Sequence, residues 1–168
     1  MGAKPIRAYN ISQITLRGTQ DSRGMLLSNL ELSNVVLRPG QYFTESITYQ
    51  PSADKPNQVT LSVDFVEFAD GTTWGPNLYK ADEMLDGQRA GAREAKKRIL
   101  KAYKSDGVQA ALNLVEDPAT AAPLPEAAQT WKAGYNRGYS FTTRRLKALL
   151  KEGEINKVEA ELRRLSDK

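Results

Sequence analysis

The chain of 168 residues contains no cysteine and no histidine. Without thiols it has no disulfide and no cysteine nucleophile. Without imidazole it lacks the commonest general base, and both absences together exclude the Cys/His class of zinc and haem sites. An enzyme built from this chain would have to work with carboxylates, lysine, serine or tyrosine alone, so catalysis is not expected. No cofactor, metal or small-molecule substrate is expected either. Apolar runs of ~18 residues are also missing, so no segment is expected to span a bilayer. The start, MGAKPIRAYN, has no apolar h-region, and no signal peptide is expected within it. Lack of cysteine does not fix the compartment, since exported and intracellular proteins can both do without it.

What is present is 40% hydrophobic and 26% charged, the composition of a soluble globular protein. The net charge of +4 is unevenly placed. Residues 1–77 carry 6 Lys/Arg against 7 Asp/Glu, a balance of −1; residues 78–168 carry 18 against 13, a balance of +5. A mild basic bias permits anionic partners without requiring them.

Two hydrophobic periods divide the chain. Up to Trp74 the pattern is strand-like, with Ile14 and Leu16, Leu30 and Leu32, then Glu45, Ile47 and Tyr49 alternating along successive segments. Val59, Leu61, Val63 and Phe65 give the clearest two-residue period. Turn signals at Gly18 to Gly24, Arg38-Pro-Gly-Gln41 and Pro51 to Asn57 separate these segments, as in an antiparallel sandwich. From Leu78 the period becomes helical: Leu78, Ala81, Leu85, Gln88, Ala92, Ala95, Ile99 and Ala102 make one stripe. Ser105 or Asp106 is suited to cap a second, short helix ending near Glu116, and Asp117-Pro118 stops it. An Ala/Pro connector at 118–125 leads to a third helix over about 125–152. A fourth, over 154–166, has Ile155, Val158, Leu162 and Leu165 on its buried face.

The stretch VDFVEFADGTTW, residues 63–74, mixes acids with aromatics. The apolar alternation shifts phase from Phe65 to Val66 and Phe68, which predicts a β-bulge near Phe65-Val66. Val59, Leu61, Val63 and Phe65, then Val66 and Phe68, are expected inward, and Ser62, Asp64 and Glu67 outward. Ala69-Asp-Gly-Thr72 predicts a tight hairpin turn, with Trp74 on the return strand packing against the sheet or the helices. A calcium site or acid/base pair from Asp64, Glu67 and Asp70 is the competing reading. Calcium needs six or more oxygen ligands, and a carboxylate pair needs a cleft with a defined separation. The sequence displays neither, and the hairpin is expected.

The phrases Lys4-Pro-Ile-Arg-Ala-Tyr9, Leu37-Arg-Pro-Gly40, and Val63 to Phe68 followed by Asp70-Gly-Thr72 and Trp74 are together similar to the layout of bacterial exported immunoglobulin-like domains. The resemblance covers about residues 4–75, and its motifs are short and structural. It implies export to the periplasm or beyond and a non-catalytic module, and supplies no site residues. Such domains generally carry one or two strands ahead of the Lys-x-Ile phrase, which are not seen here; the sandwich is then incomplete and leaves an edge for a helix or second subunit to cover.

Between Arg89 and Lys104 lie seven basic residues and one acid, Glu94. Arg93, Lys97, Lys101 and Lys104 gather on the helix side opposite Ile99, a candidate surface for phosphates of nucleic acid or anionic lipid. A solvated face is the plainer reading, because acids fill the first turns and bases the last, as the helix dipole favours. Trp131, Tyr135 and Tyr139 recur every four residues. Cations on the opposite side of that helix argue for core packing rather than base stacking. Gly134 and Gly138 form a GxxxG step that predicts close helix contact, with the long helix and its alanines as the candidate neighbour.

The expected fold class is α+β: an immunoglobulin-like sandwich over residues 1–76, then about four helices over 77–168. The expected function is a non-catalytic cell-envelope or secreted binding module, whose helices mediate protein–protein or self-association. Nucleic-acid or anionic-surface binding through the basic helix 89–104 is the alternative. A carboxylate-based glycan hydrolase using Asp64 and Glu67 comes last.

Overall fold

The computed structural model describes residues 4–17, 20–29, 37–42, 58–116, 127–151 and 155–166. Its architecture is α+β. Four antiparallel strands, β1 (Ile6–Arg17), β2 (Gln20–Asn29), β3 (Gln58–Phe68) and β4 (Thr73–Trp74), form one sheet in the order β2-β1-β3-β4. Three helices follow: α1 (Ala81–Glu116), α2 (Gln129–Lys151) and α3 (Ile155–Ser166). The chain forms two compact units, Met1–Asp82 and Glu83–Lys168. The expected strands around Leu30, Leu32 and Glu45 to Tyr49, the turn at 51–57 and the connector at 118–125 lie outside the described residues.

In the first unit β1 is the central strand. Arg17 pairs with Gln20, so two residues join β1 to β2. The expected turn from Gly18 to Gly24 is therefore shorter, and Gly24 sits inside β2 opposite Gln13. A two-residue connection suffices for a hairpin, which lets the polar run after it continue the ladder. Ile6 exchanges backbone hydrogen bonds with Leu37, and Arg38-Pro-Gly-Gln41 turns as its sequence predicts. Gln41 N–H donates to the Arg38 carbonyl at 3.0 Å, and Gly40 supplies the φ of +82° at the turn's third position.

The strand β3 departs from the sequence expectation. Asn10 pairs with Phe65 while Ile11 pairs with Val63, so Asp64 is the extra residue of a bulge. A bulge is present, but at Asp64 rather than at Phe65-Val66. A second shift makes Arg7 the extra residue between Ile6 and Ala8 on β1. Because two residues oppose one at a bulge, the facing changes there. Asp64, Phe65, Val66 and Glu67 are all buried, whereas Val59 (38%), Leu61 (53%) and Val63 (46%) are exposed. Phe65 and Val66 lie inside and Ser62 outside as expected, whereas Val59, Leu61 and Val63 are exposed and Asp64 and Glu67 buried against expectation.

The second unit has its buried cluster in Ala95, Ile99, Ala111, Leu112, Val115, Leu146, Val158 and Leu162. A straight helix would set Ala95 and Val115 ~30 Å apart. They share one cluster because α1 leaves helical geometry at Gly107 (φ 78°, ψ −167°) and folds back. The two helices expected before and after Ser105-Asp106 are these two arms of α1. Leu78 was expected on the helical stripe but is 77% exposed. Asn77 and Lys80 take left-handed φ values of 53° and 52°, so the helix cannot begin before Ala81. Asn77 instead accepts the Ala81 N–H on its side-chain oxygen at 2.7 Å.

Candidate functional site

The acidic stretch folds into structure rather than into a cleft. Asp64, 2% exposed, accepts the Asn10 side-chain amide at 3.0 Å, the Leu78 N–H at 2.9 Å and the Tyr79 N–H at 3.4 Å. Its own backbone carbonyl accepts the Asn77 N–H at 2.9 Å. A carboxylate with three N–H donors is stabilised in place and holds the segment that leads from β4 into α1. Gly75 lies against the same carbonyl: at φ +112°, a Cβ there would overlap the Asp64 oxygen. Glu67 is likewise buried and paired with Arg7. Ser12 and Ser62 share a hydroxyl hydrogen bond of 2.6 Å beside them.

The hairpin turn predicted at 69–72 is present. Phe68 N–H donates to the Thr72 carbonyl and Gly71 N–H to the Phe68 carbonyl, both at 2.9 Å, with Gly71 at φ +84°. Asp70 accepts the Thr72 N–H and hydroxyl, and pairs with Lys4 at 2.7 Å. These contacts hold the Asp70 carboxyl far below the usual carboxylate range, the Lys4 hydrogen bond first and the two Thr72 bonds next. Lys4 also donates to the Thr72 hydroxyl and lies 5.9 Å from the centre of the Phe68 ring. The Lys-x-Ile phrase and the Asp-Gly-Thr phrase, far apart in sequence, are therefore one contact. Trp74, expected to pack against the sheet or the helices, is 61% exposed on β4, which is two residues long and pairs only with Val66 and Glu67.

Asp64, Glu67 and Asp70 thus each have a separate structural partner. Among the described residues no group of three acidic side chains is placed to hold a metal ion.

The basic residues lie on α1 as their spacing predicts. Arg93, Lys97, Lys101 and Lys104 are all exposed. Lys97, Lys101 and Lys104 line an open depression of about 660 Å³ with Leu100 and Ser105. A second, of about 480 Å³, is bordered by Glu94, Lys97, Arg98, Lys101, Asp106 and Leu114. One guanidinium nitrogen of Arg98 is buried there without a hydrogen-bond partner among the described residues.

The aromatic ladder is a stack. Trp131 and Tyr135 rings are 5.4 Å apart and Tyr135 and Tyr139 6.3 Å apart, inclined by 26° and 23°. Tyr135 is buried, and Tyr139 packs against the cluster around Ile99. Burial first, then the nearby Glu94 and Tyr139, raises the Tyr135 phenol above its ordinary value.

Beside the ladder, Gly134 and Gly138 share a helix contact with two further glycines, whose spacing was not singled out in the sequence. Gly87 and Gly91 form a second GxxxG step, on α1. A Cβ at Gly134 would overlap the Met84 carbonyl oxygen, and one at Gly138 that of Gln88; reciprocally, Gly87 faces the Trp131 carbonyl and Gly91 that of Tyr135. Four backbone approaches this close are open only to glycine. Residue numbers rise together along the contact, so α1 and α2 run parallel here. The signal was legible: both helices carry glycines four apart.

No protein family, curated protein or solved structure matches this chain.

Proposed function

We propose that the chain is a non-catalytic interaction module of the cell envelope or of a secreted protein. In this reading its sheet is one layer of an immunoglobulin-like sandwich, and the two arms of α1 count as separate helices of a four-helix segment. The observation that carries it is the employment of Asp64. The best-placed acid of the chain is buried, accepts three N–H donors and anchors a loop, which leaves it unsuited to proton transfer. Glu67, its nearest acidic neighbour in sequence, is paired with Arg7. Export rests on the resemblance of residues 4–75 to exported domains. The small-residue face of α1 is occupied by α2, so association falls to other surfaces.

The test combines light scattering across a concentration series with affinity capture from a bacterial envelope extract. Either self-association or a specifically retained protein is expected. A strict monomer that retains nothing contradicts the reading, as does hydrolysis of a glycan panel that Asp64→Asn abolishes.

A second reading is favoured by the exposed cations: binding of a phosphate-bearing polymer along Arg93, Lys97, Lys101 and Lys104. It predicts affinity for single- or double-stranded DNA that falls steeply between low and moderate salt. Absence of a gel shift at low salt disposes of it.

A further inference from the structure

Among the described residues, the first half of β3 is a sheet edge. β4 pairs only with Val66 and Glu67, and among the described residues nothing pairs with the outer side of β3 between Gln58 and Val63. Sheet edges in soluble proteins are commonly blunted by lysine, proline, charge or a bulge. This one, QVTLSV, has no charge and no proline over six residues, and the bulge comes only after it, at Asp64. Val59, Leu61 and Val63 alternate along it on one face, each more than a third exposed. Such a strand presents free backbone groups and an apolar stripe at the same place.

The order of residues selects the occupant. Val59-Thr60-Leu61-Ser62-Val63 reads almost the same in both directions about Leu61. Two copies placed antiparallel about a two-fold axis at Leu61 set Val59 opposite Val63 of the other copy, Leu61 opposite Leu61, and Thr60 opposite Ser62. Apolar side chains then meet apolar ones on one face and hydroxyls meet hydroxyls on the other. Every pair joins residues of the same alternation set, so the outward N–H and C=O groups of one strand meet those of the other. No like charges face each other within the paired span. The paired span runs from Val59 to Val63 and stops there, because the carbonyl of the bulge residue Asp64 already accepts the Asn77 N–H.

We propose that this chain forms a two-fold symmetric dimer by antiparallel pairing of β3 with β3 of a second copy, centred on Leu61. The proposal rests on the interaction-module reading and names its partner. The surface is isologous, self-complementary and closed after one pairing, so it yields dimers and not filaments. Strands β2-β1-β3 of the two copies become one continuous six-stranded sheet.

The absence of cysteine makes the test direct. In this register the two Leu61 positions face each other across the axis, within the separation a disulfide bridges. Leu61→Cys is expected to cross-link rapidly under mild oxidation, while Tyr42→Cys, at a site 91% exposed, is not. By light scattering the wild-type protein is expected at twice its 18.6 kDa mass. Leu61→Lys places like charges opposite each other, and raises the dimer dissociation constant at least about tenfold with its circular dichroism unchanged. A wild-type protein that stays monomeric at all concentrations overturns the proposal. So does a dimer that Leu61→Lys leaves intact. In the latter case association through another surface still supports the interaction-module reading, and in the former the envelope capture decides that reading separately. If Leu61→Lys fails to fold, the cross-linking pair decides alone.

Discussion

The side-chain amide of Asn10, on the central strand, donates to the carboxylate of Asp64, the bulge residue of β3, at 3.0 Å in a setting closed to solvent. Removing the carboxylate leaves Asn10 and the Leu78 and Tyr79 amides without their acceptor, and unmet buried donors cost about 1–3 kcal/mol each. Asp64→Ala is therefore expected to destabilise the protein by roughly 2–4 kcal/mol in urea denaturation. A change below ~0.5 kcal/mol, the range of ordinary surface substitutions, contradicts the structural role given to Asp64.

The glycine contacts of α1 and α2 admit no side chain. Gly138→Ala inserts a methyl group into the Gln88 carbonyl, and the backbones have to separate. Overpacking of this kind costs about 1–3 kcal/mol or more. Thermal unfolding of Gly138→Ala is expected to begin at a lower temperature than that of Ala133→Gly, which alters an exposed position of the same helix. A gain in stability for Gly138→Ala, which helix propensity alone predicts, would show that the close approach does not dominate.

At Gly107 the cost is of another kind. Nothing lies within 4 Å of a Cβ built there, so Gly107→Ala meets no clash. Its φ of 78° with ψ of −167° belongs to a backbone region that is essentially glycine-only. Both Gly107→Ala and Gly107→Asn are expected to lose ~1–3 kcal/mol by chemical denaturation. Full tolerance of Asn would place the residue in the ordinary left-handed region instead.

Two ionisable groups give opposite pH signatures. The Asp70 carboxyl is held below its ordinary value of ~3.9 by Lys4 and Thr72. Its contribution to stability is present above that ordinary value and lost as pH falls through the lower folded value. The group is exposed, so the effect is screened by salt. Carbon-detected NMR titration should find Asp70 still ionised below the ordinary aspartate value, and Lys4→Ala should move it back. Tyr135 is raised above ~10 by burial, with Glu94 and Tyr139 adding to it. Its stabilising effect is complete below that value and fades as pH rises through the folded one. Ultraviolet titration should show one tyrosine ionising late, and Tyr135→Phe should remove it.

The change from strand to helix after Trp74 could be read from hydrophobic period, as could the hairpin at Asp70-Gly71 and the break near Ser105. The facing of β3 could not. Alternation shows which residues share a side, but a single extra residue at Asp64 reassigns the sides, and nothing local announces which side is covered. Leu78 misleads for a similar reason: the helical spacing runs back from Ala81 through Lys80, whose backbone is left-handed. The basic stripe of Arg93, Lys97, Lys101 and Lys104 was legible because exposure on a helix follows directly from spacing. The partner of Gly134 and Gly138 was half-visible. The alanines of α1 make the more regular stripe, but only the glycines at 87 and 91, without a Cβ, admit a carbonyl so close.

The parallel contact between α1 and α2 governs how this chain is made. Neighbouring helices that point the same way cannot be joined by a tight turn, so the chain must double back before α2 can dock. The carbonyls that fill the glycine groove of α1 arrive roughly fifty residues later, and closing so distant a contact is slow compared with forming a hairpin. As the chain leaves the ribosome, α1 therefore emerges with its groove bare and waits, unable to mature, until Trp131 to Gly138 have been synthesised.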